Sequence, residues 1–172
     1  MTVTTRSSKG TALTYTEMDA NLTHLNTLVT RPCFYATMVG QTFQPNDTNT
    51  SKTPLNTTLV NEGNCWDTSN YIFTAPVAGV YNFNWGFSFG PSSAEARYMA
   101  SRIYKNDVLV GNIHRNRPTT AQGGNQYSGI DMSIMLSFAK DETFWVILQA
   151  SAIFDISNEY GTYMSGFLLR ES

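Results

Sequence analysis

From Tyr81 to Phe89 every second residue is a large ring (Tyr81, Phe83, Trp85, Phe87, Phe89), and the residues between are Asn82, Asn84, Gly86 and Ser88. A repeat of two is the side-chain period of a β-strand and excludes a helix here. Each ring buries on the order of 150–250 Å² when covered, so this strand requires a packed layer over one face and a place in the middle of its sheet. Just ahead, Ala75-Pro76-Val77-Ala78-Gly79 has proline and glycine spaced to end one strand and start the next.

The same period recurs along the chain. Phe34, Ala36 and Met38 alternate against Tyr35, Thr37 and Val39, a first strand. Gln41 to Thr58 is polar and holds Pro45 and Pro54, a long surface connection whose simplest role is to cover a sheet edge. Leu59 to Asn70 reads as a short strand and turn, and Met99 to Tyr104 as a strand that turns at Lys105-Asn106-Asp107 into Val108 to His114. Ile130, Met132, Ile134, Leu136 and Phe138 alternate with Asp131, Ser133, Met135 and Ser137, which predicts a second central strand. Phe144 to Leu148 is apolar on both faces and must be covered on both. Arg115 to Gln126 and Ile153 to Gly161 are exposed loops. The spacing predicts an all-β antiparallel sandwich of about eight to ten strands. Its core is expected at Tyr81, Phe83, Trp85, Phe87, Ile134, Leu136, Phe138 and Phe167.

Three pieces carry a resemblance. Phe73-Thr74-x-Pro76-x-x-Gly79-x-Tyr81-x-Phe83, then Leu136-Ser137-Phe138 with Asp141-Glu142 and Phe144-Trp145-Val146, then Ser165-Gly166-Phe167-Leu168-Leu169 together resemble the C1q and tumour-necrosis-factor-like jelly rolls. The likeness runs from about Phe34 to Leu169 and departs at the turn, where the family has Gly-Asp and this chain has Asp141-Glu142. It implies a jelly-roll head over residues 33–172 and a homotrimer, with Met135, Trp145 and Ile147 as candidate subunit-interface residues. Some jelly rolls of this kind bind calcium, for which Asp131, Asp141, Asp155 and Glu159 supply oxygens here. They lack the dense alternating spacing of a dedicated calcium loop, so no cofactor is expected.

Residues 1–32 form a separate arm. Met1 to Ala12 has few apolar residues and is expected to be extended or disordered unless a partner holds it. Thr14-x-x-Glu17 is a capping box, with Leu13 placed to close over Met18, and Met18, Leu22, Leu25 and Val29 follow at spacings of four, three and four. Arg31-Pro32 ends the helix. Leu13, Met18, Leu22, Leu25 and Val29 are the candidate anchoring residues; two heptads are too few to hold three helices together alone, and docking on the head or on a foreign surface stands equally. Lys9-Gly10-Thr11-Ala12-Leu13-Thr14 through Glu17-Met18-Asp19-Ala20-Asn21 resembles a segment near the N-termini or joints of virion proteins of tailed bacteriophages.

Charged residues are 14% of the 172, against roughly 25% in average soluble proteins, and the net charge of −2 offers no electrostatic footprint for nucleic acid. No apolar run approaches the roughly 18 residues of a membrane span, and MTVTTRSSKG lacks the apolar centre of a signal peptide, so export by the general secretory route is not expected. Cys33 and Cys65 are then two reduced thiols rather than a bridge. P-loop, G-x-S-x-G and H-E-x-x-H patterns are missing, and His24 and His114 stand apart from either cysteine. The expectation is a non-enzymatic, trimeric virion protein of a tailed bacteriophage, assembled in the host cytoplasm and displayed on the virion surface. Its arm would bind capsid or tail proteins, as decoration or a short head fibre. The alternatives are a receptor-binding tail-fibre tip that recognises a host surface glycan or protein, and a non-viral C1q-like lectin or adhesin.

Overall fold

The alternating rings become strand β5, Gly79–Phe89, in the computed structural model. That structure describes residues 3–29, 31–40, 43–46, 48–89, 98–116, 128–150 and 161–172, with backbone only for residues 24, 26–29, 88–89, 114–116 and 128–130. The other strands are β1 Cys33–Thr37, β2 Thr57–Glu62, β3 Trp66–Asp67, β4 Ile72–Thr74, β6 Tyr98–Lys105, β7 Val108–Asn116, β8 Ser128–Phe138, β9 Thr143–Ala150 and β10 Tyr163–Glu171. They form two five-stranded sheets, β2-β1-β10-β5-β8 and β3-β4-β9-β6-β7, and every described pairing is antiparallel. The Asn106-Asp107 turn takes positive φ at both residues, 48° and 63°, the hairpin geometry whose twist matches its flanking strands.

Between the sheets lies an aromatic core. Phe83 stacks on Phe144 at 4.1 Å between ring centroids and meets the edge of Phe73 at 5.0 Å, which ties β5 of one sheet to β9 and β4 of the other. Each polar ring atom in this layer has a partner. The Tyr81 hydroxyl donates to the Val77 carbonyl at 2.9 Å, Trp85 Nε1 to Ser101 Oγ at 3.1 Å, and Trp66 Nε1 to the Leu55 carbonyl at 3.1 Å. Tyr81, Phe83, Trp85, Phe87 and Phe138 are buried, with Ile134 and Leu136 packed against them.

Two expectations for the head change. Strand β8 is an edge, not a centre, because among the described strands it pairs only with β5; one buried face is satisfied equally well in either place. Phe167 is not in the core. Met164, Gly166 and Leu168 turn inward, leaving Phe167 outward at 41% exposure. The inward place holds a glycine because the rings of Phe34 and Phe83 fill it: a Cβ at Gly166 would lie 2.5 Å from Phe34 Cε1 and 2.8 Å from Phe83 Cδ1. Gly166→Ala is therefore expected to destabilise by about 1–3 kcal/mol through overpacking. Chemical denaturation beside Ser165→Ala, one residue away on the outer face, measures it; equal midpoints would contradict this packing.

The long polar connection covers a sheet edge. Strand β4 reaches only to Phe144 and Thr143 of β9. Further along β9, Thr53 N–H and Oγ1 both donate to the Val146 carbonyl at 3.0 and 3.1 Å, Asn49 Nδ2 donates to the Leu148 carbonyl at 2.8 Å, and Ala150 N–H donates to the Asn46 carbonyl at 3.3 Å.

The chain divides into two units, Met1–Arg31 and Pro32–Ser172. The first contains helices α1, Arg6–Lys9, and α2, Tyr15–Val29. The expectation of an extended or disordered Met1 to Ala12 gives way, over residues 3–12, to a short helix and local side-chain bonds. Thr5 and Ser8 form a capping box around α1, and Gly10 ends it at φ 73°. Thr4 N–H donates to Asn21 Oδ1 at 2.9 Å and Asn21 Nδ2 returns a bond to the Thr4 carbonyl at 2.7 Å. Polar side chains do locally what the count of apolar residues had no means of registering.

Candidate functional site

Among its described residues the head offers little to chemistry. Cys65 is buried and its thiol is pushed up to about 12 by that burial, the reverse of what a thiolate nucleophile needs. Cys33 and Cys65 are both free thiols. The side chains of His24 and His114 lie outside the described residues, as do Asp155 and Glu159 of the calcium reading and most of the Arg115 to Gln126 loop. Among the described residues no group of three or more His, Cys, Asp or Glu converges on a metal position. A cleft of about 370 Å³ beside β3 is lined in part by Asn61 and Asp67, and both are committed: Asn61 exchanges two bonds with the Trp66 backbone, and Asp67 accepts from the Ser69 and Asn70 N–H groups.

What the head does offer is faces. On the outer side of the first sheet the register lines up Cys33, Phe167, Asn82 and Met135 in one row, Tyr35, Ser165, Asn84 and Ser133 in the next, and Thr37, Tyr163, Gly86 and Asp131 in the third. Met135 is 65% exposed, and Phe167, Leu169, Val60 and Leu59 join it as exposed apolar residues. Tyr35 and Tyr163 stack at 5.5 Å with planes 3° apart. Burial first, then the Asp131 carboxylate and Tyr35, raise the Tyr163 hydroxyl above its ordinary range. Gly86 makes room for this arrangement, since a Cβ there would lie 2.5 Å from Asp131 Oδ1.

Trp145 and Ile147 do not join that surface. They lie on β9 of the other sheet and are only 6% and 5% exposed within the single chain. Tyr104 stacks on Trp145 at 5.6 Å and the Lys52 ammonium sits 4.8 Å from its ring centroid. The second apolar face of β9 is thus covered by the chain itself. The structure separates Met135 from Trp145 and Ile147, and nothing local in the sequence marked Lys52 or Tyr104 as their cover.

Ten described strands in this order, with a ring-filled core between two sheets, form a jelly roll, and a model of the C1q domain matches residues 33–169. The chain belongs to the C1q domain family. No curated protein sequence matches it. Among solved structures it is similar to the globular domain of zebrafish complement 1qA, with 15% identity, a TM-score of 0.58, and coverage of 82% of this chain and 99% of that one. It is also similar to Eiger TNF from S. frugiperda, with 7% identity, a TM-score of 0.61, and coverage of 83% and 94%. At such identities the likeness is one of fold.

Outside the C1q domain, the N-terminal unit carries the remaining candidate residues. Thr14 and Glu17 close their capping box, with Thr14 N–H donating to Glu17 Oε2 at 2.7 Å and Glu17 N–H to Thr14 Oγ1 at 3.2 Å. Lys9 pairs with the same carboxylate, and chiefly through that bond, with help from Thr14, the Glu17 carboxyl falls to about 2. The clasp keeps its charge above the usual carboxylate range and loses it only as pH falls toward 2. Met18, Leu22 and Leu25 are exposed along α2, Leu22 at 64%, while Leu13 is half-buried and the Val29 side chain lies outside the described residues.

Proposed function

We propose that this protein is a non-enzymatic structural component of a tailed bacteriophage particle, a homotrimeric C1q head held on the virion surface by residues 1–31. The observation that carries the reading is the pairing of a C1q domain with a small, separately packed unit whose apolar stripe of Met18, Leu22 and Leu25 faces solvent. That unit includes the segment resembling phage virion proteins, and Lys9, Gly10, Thr14, Glu17 and Asn21 of the segment all take part in its internal bonds or caps. Helix α2 has 15 residues and spans about 22 Å, so the arm suits capsid decoration or a short fibre better than a long projection. Deletion of the arm followed by electron microscopy of particles is the direct test.

Trimer formation is assigned to the outer face of the β2-β1-β10-β5-β8 sheet, where Met135 and Phe167 stand in one row. Light scattering on the full chain is expected to give three times 19.1 kDa. Met135→Glu combined with Phe167→Glu is expected to give a folded monomer, because two carboxylates would have to be desolvated in the apolar part of the interface. A monomeric parent at micromolar concentration, or a double variant that stays trimeric, would count against this assignment.

A further inference from the structure

We propose that Arg102 anchors a binding site for the carboxylate of an acidic saccharide, on the outer face of the β3-β4-β9-β6-β7 sheet. This goes beyond the attachment of the head to a particle and does not depend on it. Arg102 lies on β6, flanked in register by Ile147 of β9 and Asn112 of β7. Its guanidinium carbon is 5.9 Å from the centroid of the Tyr104 ring, and its Nε is buried with no hydrogen-bond partner. Among the described residues no other buried side-chain nitrogen or oxygen is left so. A buried donor on a charged group is costly to leave unpaired, and native structures rarely tolerate one without a reason.

Nε itself is closed to solvent, so a ligand would meet the exposed part of the half-buried Arg102 side chain, and the surroundings say what would suit it. Strands β6, β7 and β9 contain no Asp or Glu. The two ion pairs among the described residues, Lys9 with Glu17 and Lys105 with Glu142, engage neither Arg102 nor Lys52. Lys52, above Trp145 on the same face, adds a second positive charge. Asp67 is near enough to Lys52 to feel it, but its carboxylate is occupied by Asn70 and Ser69. In a chain with 11 Lys and Arg in all, two cations beside one aromatic pair and without a bonded acid among the described residues form a local positive field. A planar guanidinium matches the two oxygens of a carboxylate.

Position selects the ligand class. Peptides that bind through their backbone need a free strand edge, and β6 is interior, with β9 on one side and β7 on the other. A ligand reaching Arg102 must lie across the sheet face, where it meets the Tyr104 ring, the exposed Asn112 amide and the exposed Leu109. A ring with apolar C–H faces, hydroxyls for the amide and one carboxylate fits that set.

The full chain would be titrated calorimetrically with oligosaccharides bearing glucuronic or N-acetylneuraminic acid, with a neutral glucose oligomer, with inorganic phosphate and with a Glu-rich peptide. An acidic saccharide is expected to bind, and the neutral one to bind about tenfold more weakly or not at all. Arg102→Met should remove the difference, and Arg102→Lys should restore part of it. Without ligand, Arg102→Met should unfold at the same temperature as the parent or higher, since it fills the space and removes the unpaired donor. A lower unfolding temperature with saccharide binding unchanged would make Arg102 a packing residue and overturn the site. Failure of both acidic saccharides to bind would do the same. Equal or tighter binding of phosphate or of the peptide would overturn the saccharide assignment.

Discussion

Phe83→Ala is expected to lower stability by about 3–5 kcal/mol, a large part of what a domain of this size possesses. Phe83 is fully buried at the junction of both sheets, against Phe144 at 4.1 Å, Phe73 at 5.0 Å and Phe138 at 5.7 Å. Truncation removes the transfer energy of the ring and leaves a cavity whose walls are themselves rings on different strands, so the site has little freedom to collapse. Asn82, one residue earlier, faces outward, its Oδ1 accepting from Ser133 Oγ at 3.4 Å, and Asn82→Ala is expected to cost under about 1 kcal/mol. Denaturant titration at one fixed protein concentration compares the two, because any self-association makes apparent stability depend on concentration. Comparable losses would mean that the two faces of β5 are the reverse of those described.

On the virion role proposed above, removing residues 1–31 is expected to abolish attachment to particles while leaving the head folded. The cut falls at the boundary between the two units, and the core residues of the head all lie from Phe34 onward. The arm's stripe is short, so one arm on its own would bind weakly. In a trimer three arms engage neighbouring sites at high effective concentration, and avidity exceeds the single affinity by about 10²–10⁴. Leu22→Asp with Leu25→Asp should weaken attachment without shifting the unfolding of the head, since it charges the stripe and leaves the Thr4–Asn21 and Lys9–Glu17 clasps intact. The measurement is occupancy on particles that lack the native protein. Full occupancy by the truncated head would place the anchor on the C1q domain.

The core was legible in sequence wherever one face of a strand is apolar and the other polar. Tyr81, Phe83, Trp85 and Phe87 against Asn82, Asn84 and Gly86 leave a single way to bury rings, and Ile134, Leu136 and Phe138 follow the same logic on β8. The capping box at Thr14 and Glu17 and the hairpin turn at Asn106-Asp107 were legible because each is a bond or dihedral demand met within four residues.

Strands apolar on both faces were another matter. In Ser165-Gly166-Phe167-Leu168-Leu169 either register buries something greasy, and the choice is made by the rings of Phe34 and Phe83, which leave room inward only for the glycine. The outer face of β9 is covered by Tyr104 and Lys52, and the free edge of β9 by Asn46, Asn49 and Thr53, about a hundred positions earlier in the chain. Whether β8 is central or at an edge, and that Arg102 Nε has no partner, depend on the same long-range pairings. By itself the sequence determined which side chains share a face, because the period of two is a local property of the backbone. Only the tertiary structure decided what meets each face, because that depends on strands brought together from far along the chain, and no local pattern records their distance.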